Sequence, residues 1–190
     1  MIPLRRRDDP YQLVVGMSGV KLGDRLLQIG CAHGGRLGAV AAKVGLSGRS
    51  VAVVPDEPQA AQARKGASQA GALVEVEIAP LSSLPVDAGA FDLAIIDDTG
   101  GLLAGQRPED RVALARETFR VLRPGGRALV LGAVPRPGLA GLLARRPSGP
   151  RTDPLPLLAA EGFSAPRVLA ERDGLIFVEA MKPRSSVIQD

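Results

Sequence analysis

One short stretch, Gln28-Ile29-Gly30-Cys31-Ala32-His33-Gly34, holds the sole cysteine and the sole histidine of this chain within a small-residue loop. Small residues there let the backbone approach a ligand, and the start of a following helix offers unpaired N–H groups. His33, the sole histidine, has the chemistry of a base or of a partner for a ligand carboxylate. Cys31, the sole cysteine, has that of a nucleophile at a helix start. Plainer readings compete with both: a polar loop histidine and a small packed residue, and the plainer ones are preferred. Asp97 and Asp98 close the apolar run Phe91 to Ile96, a place for ligand contacts or for capping. Asp92, at the start of that run, reads as structural. Arg136, Arg145, Arg146 and Arg151 form a late basic cluster, by default a solvated face.

The surrounding pattern must position these groups. Arg25 to Ile29 reads as a strand and Gly35 to Val44 as a helix stopped at Gly45. Ser50 to Val54 is the second strand, and a helix from Glu57-Pro58 to about Ala70 follows. Leu73 to Ile78 alternates apolar residues with Glu75 and Glu77, as an edge strand does. Phe91 to Ile96 reads as a buried strand, followed by a Gly-rich loop from Thr99 to Gln106. Pro108, Glu109 and Asp110 suit a helix start, and Val112, Ala115, Phe119 and Leu122 predict its apolar face. Arg123-Pro124-Gly125-Gly126 is a turn before a strand at Ala128 to Leu131. Short helices are expected at Leu139 to Ala144 and Pro156 to Glu161. Asp173-Gly174 joins Arg167 to Ala170 and Leu175 to Met181 into a hairpin. Tyr11 to Val20 forms a short helix ahead of the first strand.

Strands alternating with helices imply an α/β fold: a Rossmann-like, doubly wound, seven-stranded sheet, six strands parallel and one reversed, with an antiparallel C-terminal hairpin. A ligand then lies beyond the C-terminal strand ends at the switch point. That places Gly30 to Gly34, Pro55-Asp56, Pro80 to Ser82 and Asp97 around one crevice. The domain spans 22–183, with an N-terminal extension at 1–21 and a tail at 184–190.

Composition narrows the function classes. The chain has 190 residues, 45% of them hydrophobic but only 3% aromatic, so its core is aliphatic. The net charge of +4 comes mainly from arginine, and the interleaved aromatics of a base-stacking surface are missing, so no nucleic-acid partner is expected. One cysteine excludes an internal disulfide and a Cys-rich zinc site, and no metal is expected. A cytoplasmic location fits that cysteine usage. No apolar run approaches the roughly 18–20 residues of a membrane span.

These motifs, in this order, resemble the class I S-adenosylmethionine-dependent methyltransferases, in particular the small quinone-methyltransferase-like group, from about Leu22 to Lys182. Gln28-Ile29-Gly30-Cys31-Ala32-His33-Gly34 stands where that family has Asp/Glu-x-Gly-x-Gly-x-Gly. Ala79-Pro80-Leu81-Ser82-Ser83-Leu84-Pro85 is similar to its loop after strand three. Phe91 to Asp97 is similar to its fourth strand, and Phe119-Arg120-Val121-Leu122-Arg123-Pro124-Gly125-Gly126-Arg127 to the turn before its fifth. The departures fall on the cofactor positions. Gln28 replaces the acid on the methionine ammonium side, and Ala32 replaces the central glycine. Val54 or Pro55 replaces the ribose acid, with Asp56 adjacent, and Pro80 stands at the adenine position.

The resemblance implies S-adenosylmethionine, weakly bound, contacting Gln28, Gly30, Cys31, Ala32, His33, Gly34, Asp56, Leu81, Ser82 and Asp97. Restoring an acid by Gln28→Asp or Pro80→Asp is expected to strengthen that binding. The implied activity is methyl transfer to a small or lipid-like acceptor, with a protein partner or a second copy completing the pocket. Two rivals stand beside it. One is a catalytically inactive binding or assembly module of the same fold, which the altered cofactor positions support. The other is a dinucleotide-binding protein using Gly30-x-Ala32-x-x-Gly35. The Arg-Pro-Gly-Gly turn and the terminal hairpin count against that one.

Overall fold

The computed structural model describes residues 11–134 and 152–184. One sheet of seven strands organises them, in the order β3-β2-β1-β4-β5-β7-β6. The strands are β1 (Arg25–Ile29), β2 (Arg49–Val54), β3 (Glu75–Ile78), β4 (Phe91–Asp98), β5 (Leu122–Ala133), β6 (Ser164–Arg172) and β7 (Leu175–Met181). All pairings are parallel except those of β7, which runs against both β5 and β6. Six strands thus point one way and one is reversed, as the alternation and the Asp173-Gly174 turn imply. Asp173 adopts a positive φ of 55° in that turn.

Helices cover both faces. α1 (Gln12–Ser18), α2 (Gly34–Val44) and α3 (Glu57–Ala70) lie on one side, and α4 (Pro108–Val121) and α5 (Pro154–Ala160) on the other. Alternation along each strand sorts the core. Leu26, Leu93, Ile95, Leu129 and Phe177 pack on the side of α1 and α2. Leu27, Ile29, Ala94, Ile96, Val130 and Val178 pack on the side of α4 and α5. Val14 of α1 is buried in the first cluster, so α1 is packed onto the domain.

The apolar face of α4 differs from the expected one. Ala115 is buried and Phe119 packs against the core as expected, but Val112 is 37% exposed, and Leu114, Thr118 and Val121 join the buried face. Thr118 joins an apolar face because its Oγ1 donates to Leu114 O at 2.7 Å, which satisfies the hydroxyl within the helix. Leu122 belongs to β5, not to the helix, and so do Arg123-Pro124-Gly125-Gly126: the expected turn is an irregularity within that strand, where its pairing with β4 shifts register. The third strand begins at Glu75, leaving Leu73 exposed. The expected helix at Leu139 to Ala144 and the arginines 136, 145, 146 and 151 lie outside the described residues. No described helix is long and apolar enough to cross a membrane.

Candidate functional site

The C-terminal ends of β1 and β4 meet at the point where the strand order reverses, which is where a doubly wound sheet opens a crevice. β1 ends at Ile29, and Gly30 turns the chain with φ 74°, a conformation that disfavours any side chain. Leu102 lies over this turn: a Cβ on Gly30 would stand 3.0 Å from Leu102 Cδ2. The chain then enters α2 at Gly34. A Cβ there would stand 1.9 Å from Gln62 O, and one on Gly66 1.9 Å from Gly34 O. Gly34 therefore serves the close contact between α2 and α3, which holds the loop in place from beneath.

A cavity of about 240 Å³ opens beside this loop, lined by Cys31, Ala32, Pro58, Gln59, Gln62, Asp97, Gly100 and Leu102. Its centre of charge is Asp97, whose side chain is 1% exposed. Ala32 N donates to Asp97 Oδ2 at 3.0 Å. Thr99 donates to Oδ1 through its N–H at 3.2 Å and its hydroxyl at 2.6 Å. Arg36 donates from Nη1 to Thr99 Oγ1 at 2.7 Å and stands 4.0 Å from the Asp97 carboxylate. The second loop amide is also engaged: Cys31 N donates to Gln59 Oε1 at 2.8 Å. A ligand acceptor would have to displace Gln59 or Asp97 to reach these N–H groups.

The expected site residues separate. Cys31, Ala32 and Asp97 come together in the cavity wall. Gln28 is buried behind it and turns back on the loop, its Nε2 donating to Gly30 O at 3.2 Å. His33 is exposed and packs its ring against Tyr11, with centroids 5.6 Å apart. Asp56 caps α3: Gln59 N donates to its Oδ1 at 2.9 Å. Leu81 is buried in the core on the side of α4, and Ser82 lies exposed in the adjoining turn. Burial, together with the nearby Asp97 charge, pushes the Cys31 thiol up to about 12. A thiol at that value stays protonated at neutral pH, which removes the nucleophile reading.

Sequence reasoning missed Gln59, Gln62, Thr99, Leu102 and Arg36. Two of them carried a signal. Asp56-x-x-Gln59 has the spacing of a capping box, in which the Gln would return to its own helix start. Here Gln59 returns to its own helix start only through Nε2, which donates to Asp56 Oδ2 at 3.4 Å, and its Oε1 accepts from Cys31 N across the cavity. Arg36 puts a cation in the first turn of α2, where no acidic residue stands. A cation there opposes the helix dipole, and its engagement with Thr99 and Asp97 is the compensation.

The donor set fits an S-adenosyl compound at its charged amino-acid end and poorly at its nucleoside end. Asp97 offers an anion in the cavity, but Val54 is fully buried and apolar, and Pro55 and Pro80 present no polar side-chain group. The cavity is also below the roughly 300–1,000 Å³ usual for cofactor sites.

Comparison with known proteins gives the lineage. Residues 26–126, more than half of the chain, match the family described as Methyltransferase domain. An uncharacterized 37.1 kDa protein in transposon Tn4556 of Streptomyces fradiae is 38% identical over 110 residues, covering 58% of this chain and 30% of that protein. Nocamycin O-methyltransferase of Saccharothrix syringae is 34% identical over 115 residues, covering 60% of this chain and 39% of the enzyme. The matches thus span less than two fifths of these relatives' lengths. A SAM-dependent methyltransferase from Aquifex aeolicus superposes with a TM-score of 0.71 at 20% identity, over 91% of this chain and 89% of that one. The glycine turn, the reversed strand and the matched span from strand one to the Arg-Pro-Gly-Gly turn agree, and the chain belongs to the methyltransferase domain family.

Proposed function

We propose that this chain binds S-adenosylmethionine beyond the C-terminal ends of β1 and β4 and transfers its methyl group to a small or lipid-like acceptor. The observation that carries this reading is the cavity at the switch point, walled by the Cys31-Ala32 loop and the buried Asp97 carboxylate, in a chain of the methyltransferase family. When bound, the cofactor supplies an electrophilic methyl group. The chain's own part is to hold reactants at near-attack distance and to exclude water. Gly30, Cys31, Ala32 and Asp97 face the ligand in this reading, and Gln28 and Gly34 hold the loop. No proton transfer is assigned to His33.

A second cavity, of about 320 Å³, supports the acceptor side. Val130, Val168, Ile176 and Val178 make it largely apolar, with Asp98 and Thr152 among its polar groups. Asp97 lines one cavity and Asp98 the other, and consecutive strand residues point to opposite faces. Donor and acceptor sites would thus flank the same strand end. The likeness to nocamycin O-methyltransferase supports a hydroxyl-bearing small molecule as acceptor.

Titration calorimetry with S-adenosylmethionine, followed by label transfer to a panel of hydroxylated small molecules, tests the reading. Saturable but weak binding, with transfer to at least one apolar alcohol or phenol, is expected. One observation favours the rival binding module: the Cys31 and Ala32 amides already hold internal acceptors. No heat at millimolar ligand and no transfer would overturn the enzyme reading in its favour.

A further inference from the structure

Among the described residues, six large apolar side chains are exposed: Leu22, Leu46, Leu73, Ile78, Val112 and Val168. Single residues of this kind, scattered over a surface, are ordinary. Three of these are not scattered. Leu22 lies between α1 and β1, Leu46 between α2 and β2, and Leu73 between α3 and β3. Each of these helix-to-strand connections thus carries one leucine, at 73%, 87% and 74% exposure.

The ladder sets the three side by side. Arg25 pairs with Arg49, and Val51 with Glu75. Counting back along the same registers puts Leu22 level with Leu46, and Leu73 level with Arg49. Adjacent strands stand about 4.8 Å apart, so the leucines form a row on the order of 10 Å long beneath β1, β2 and β3. Contacts tie the first two connections together. Gly23 N donates to Val44 O at 2.9 Å, and a Cβ on Gly45 would stand 2.5 Å from Leu22 Cδ1. This is the N-terminal end of the parallel strands, opposite to the end where both cavities open.

Charge decides what such a row can meet. Lys21 precedes Leu22, and Lys43 stands in the last turn of α2 ahead of Leu46. Both are exposed, and neither side chain has an ion pair or hydrogen bond among the described residues. The nearby carboxylates are mostly engaged. Asp24 accepts from Lys21 N at 2.8 Å, Glu75 takes two hydrogen bonds from Arg49, and Asp92 is paired with Arg25 and Arg123. Asp87, exposed on the connection into β4, also acts on Arg49. The free charges next to the leucines are therefore positive. A second copy of the chain would bring the same lysines together across a two-fold contact. A protein partner of any stability has to match roughly 1,000 Å² in shape. A fluid anionic surface requires no such match: its interface takes apolar side chains while its headgroups take the lysines.

We propose that this end of the sheet docks on an anionic membrane surface, with Leu22, Leu46 and Leu73 entering the interface and Lys21 and Lys43 meeting the headgroups. Apolar and basic signals are each weak alone and hold together. The docked chain turns its crevice away from the lipid, so this proposal and the cofactor reading stand or fall separately.

Flotation of the full chain with vesicles tests it, comparing phosphatidylcholine alone with a mixture of phosphatidylcholine and phosphatidylglycerol. The wild type should float with the mixture at about 0.1 M salt and be released at about 1 M, where charges are screened within about 3 Å. Leu22→Ser, Leu46→Ser and Leu73→Ser together should weaken binding about a hundredfold or more. Lys21→Gln with Lys43→Gln should weaken it about tenfold or more. Val112→Ser, an exposed apolar position elsewhere, should leave it unchanged. Should circular dichroism show the triple variant unfolded, Leu46→Ser alone, at the most exposed position, should still weaken binding about threefold to tenfold. A wild type that ignores the mixture, or binds both vesicles equally, overturns the proposal. So does a folded triple variant that floats like the wild type, since the attraction would then lie with arginines elsewhere in the chain. Self-association in sedimentation that the triple variant abolishes, without flotation of the wild type, overturns it in favour of a second copy.

Discussion

β4 carries Asp92 near its N-terminal end and the pair Asp97-Asp98 at its C-terminal end, and Asp92 and Asp97 are solvated and paired in opposite ways. Asp92, at the N-terminal end, accepts from Arg25 N at 2.8 Å, from Arg25 Nε at 3.2 Å and from Arg123 Nε. Two guanidinium groups meet it directly, and its side chain is 18% exposed. Asp97, at the C-terminal end, is 1% exposed, accepts hydrogen bonds from neutral donors and has its one guanidinium, Arg36, further off at 4.0 Å. The first carboxylate is neutralised and closes the bottom of the sheet. The second is oriented rather than neutralised, and it borders a cavity. Close ion pairing on both carboxylate oxygens marks the N-terminal end of the strand, and looser pairing beside a cavity marks the other.

Replacing each carboxylate by leucine gives the largest contrast. Asp97→Leu strands three part-buried donors and the largely buried Arg36 charge, and should cost about 3–5 kcal/mol. Asp92→Leu leaves two arginines that water can reach, and should cost about 1–2 kcal/mol. Chemical denaturation of both variants measures the difference. Equal losses would break the distinction between the two ends.

The fold was legible because it rests on local signals that agree. Apolar runs, Pro108 at a helix start, Gly45 and Gly71 at helix ends and the Asp173-Gly174 turn each specify one element. The site was legible only in part. The Gly30 turn and Asp97 follow from their place in the topology, but Gln59 and Arg36 act across 28 and 63 residues of sequence, on Cys31 and Thr99. No local pattern encodes that reach. Asp56 shows the converse: a residue beside the expected ribose position that serves its own helix as a cap.

Gln28 sharpens the comparison further, because the sequence assigns it the missing acid. In the structure its amide donates to a carbonyl inside the loop. Gln28→Asp removes that donor and sets a buried carboxylate against Gly30 O, at a cost of about 1–3 kcal/mol. Binding of S-adenosylhomocysteine should not tighten. A tighter complex, measured by calorimetry, would show that a carboxylate on strand one can reach the ligand.

Gln59→Ala tests whether the C-terminal end holds itself partly closed. The substitution removes the acceptor on Cys31 N and clears one wall of the cavity. A ligand acceptor would then meet that N–H without displacing a side chain, and S-adenosylhomocysteine should bind about threefold to tenfold tighter. Unchanged or weaker binding would assign Gln59 to the ligand contacts instead.

The smallest effect belongs to the N-terminal end and is read in acid. Burial works to raise Asp92, but hydrogen bonds from Arg123 and Arg25 outweigh it and hold the carboxyl at about 2, below its ordinary 3.8. Glu117 is lowered by its hydrogen bond to Arg120, and Glu75 by its hydrogen bond to Arg49. A carboxyl lowered in the folded state binds fewer protons there than in the unfolded chain. Its contribution is therefore complete above the ordinary value and is lost as pH falls through the folded one. For Asp92 that window runs from about 3.8 down to about 2. Because solvent reaches and screens this ion pair, the loss it causes should stay under about 1 kcal/mol. Asp92→Asn removes the titrating group, so its stability should fall less steeply than that of the wild type across this window, while the two curves run parallel at neutral pH. Denaturant titrations at several pH values give both slopes. Identical slopes would mean that Asp92 is no more strongly paired in the folded chain than in the unfolded one, and the contrast between the two ends of β4 would lose its electrostatic basis.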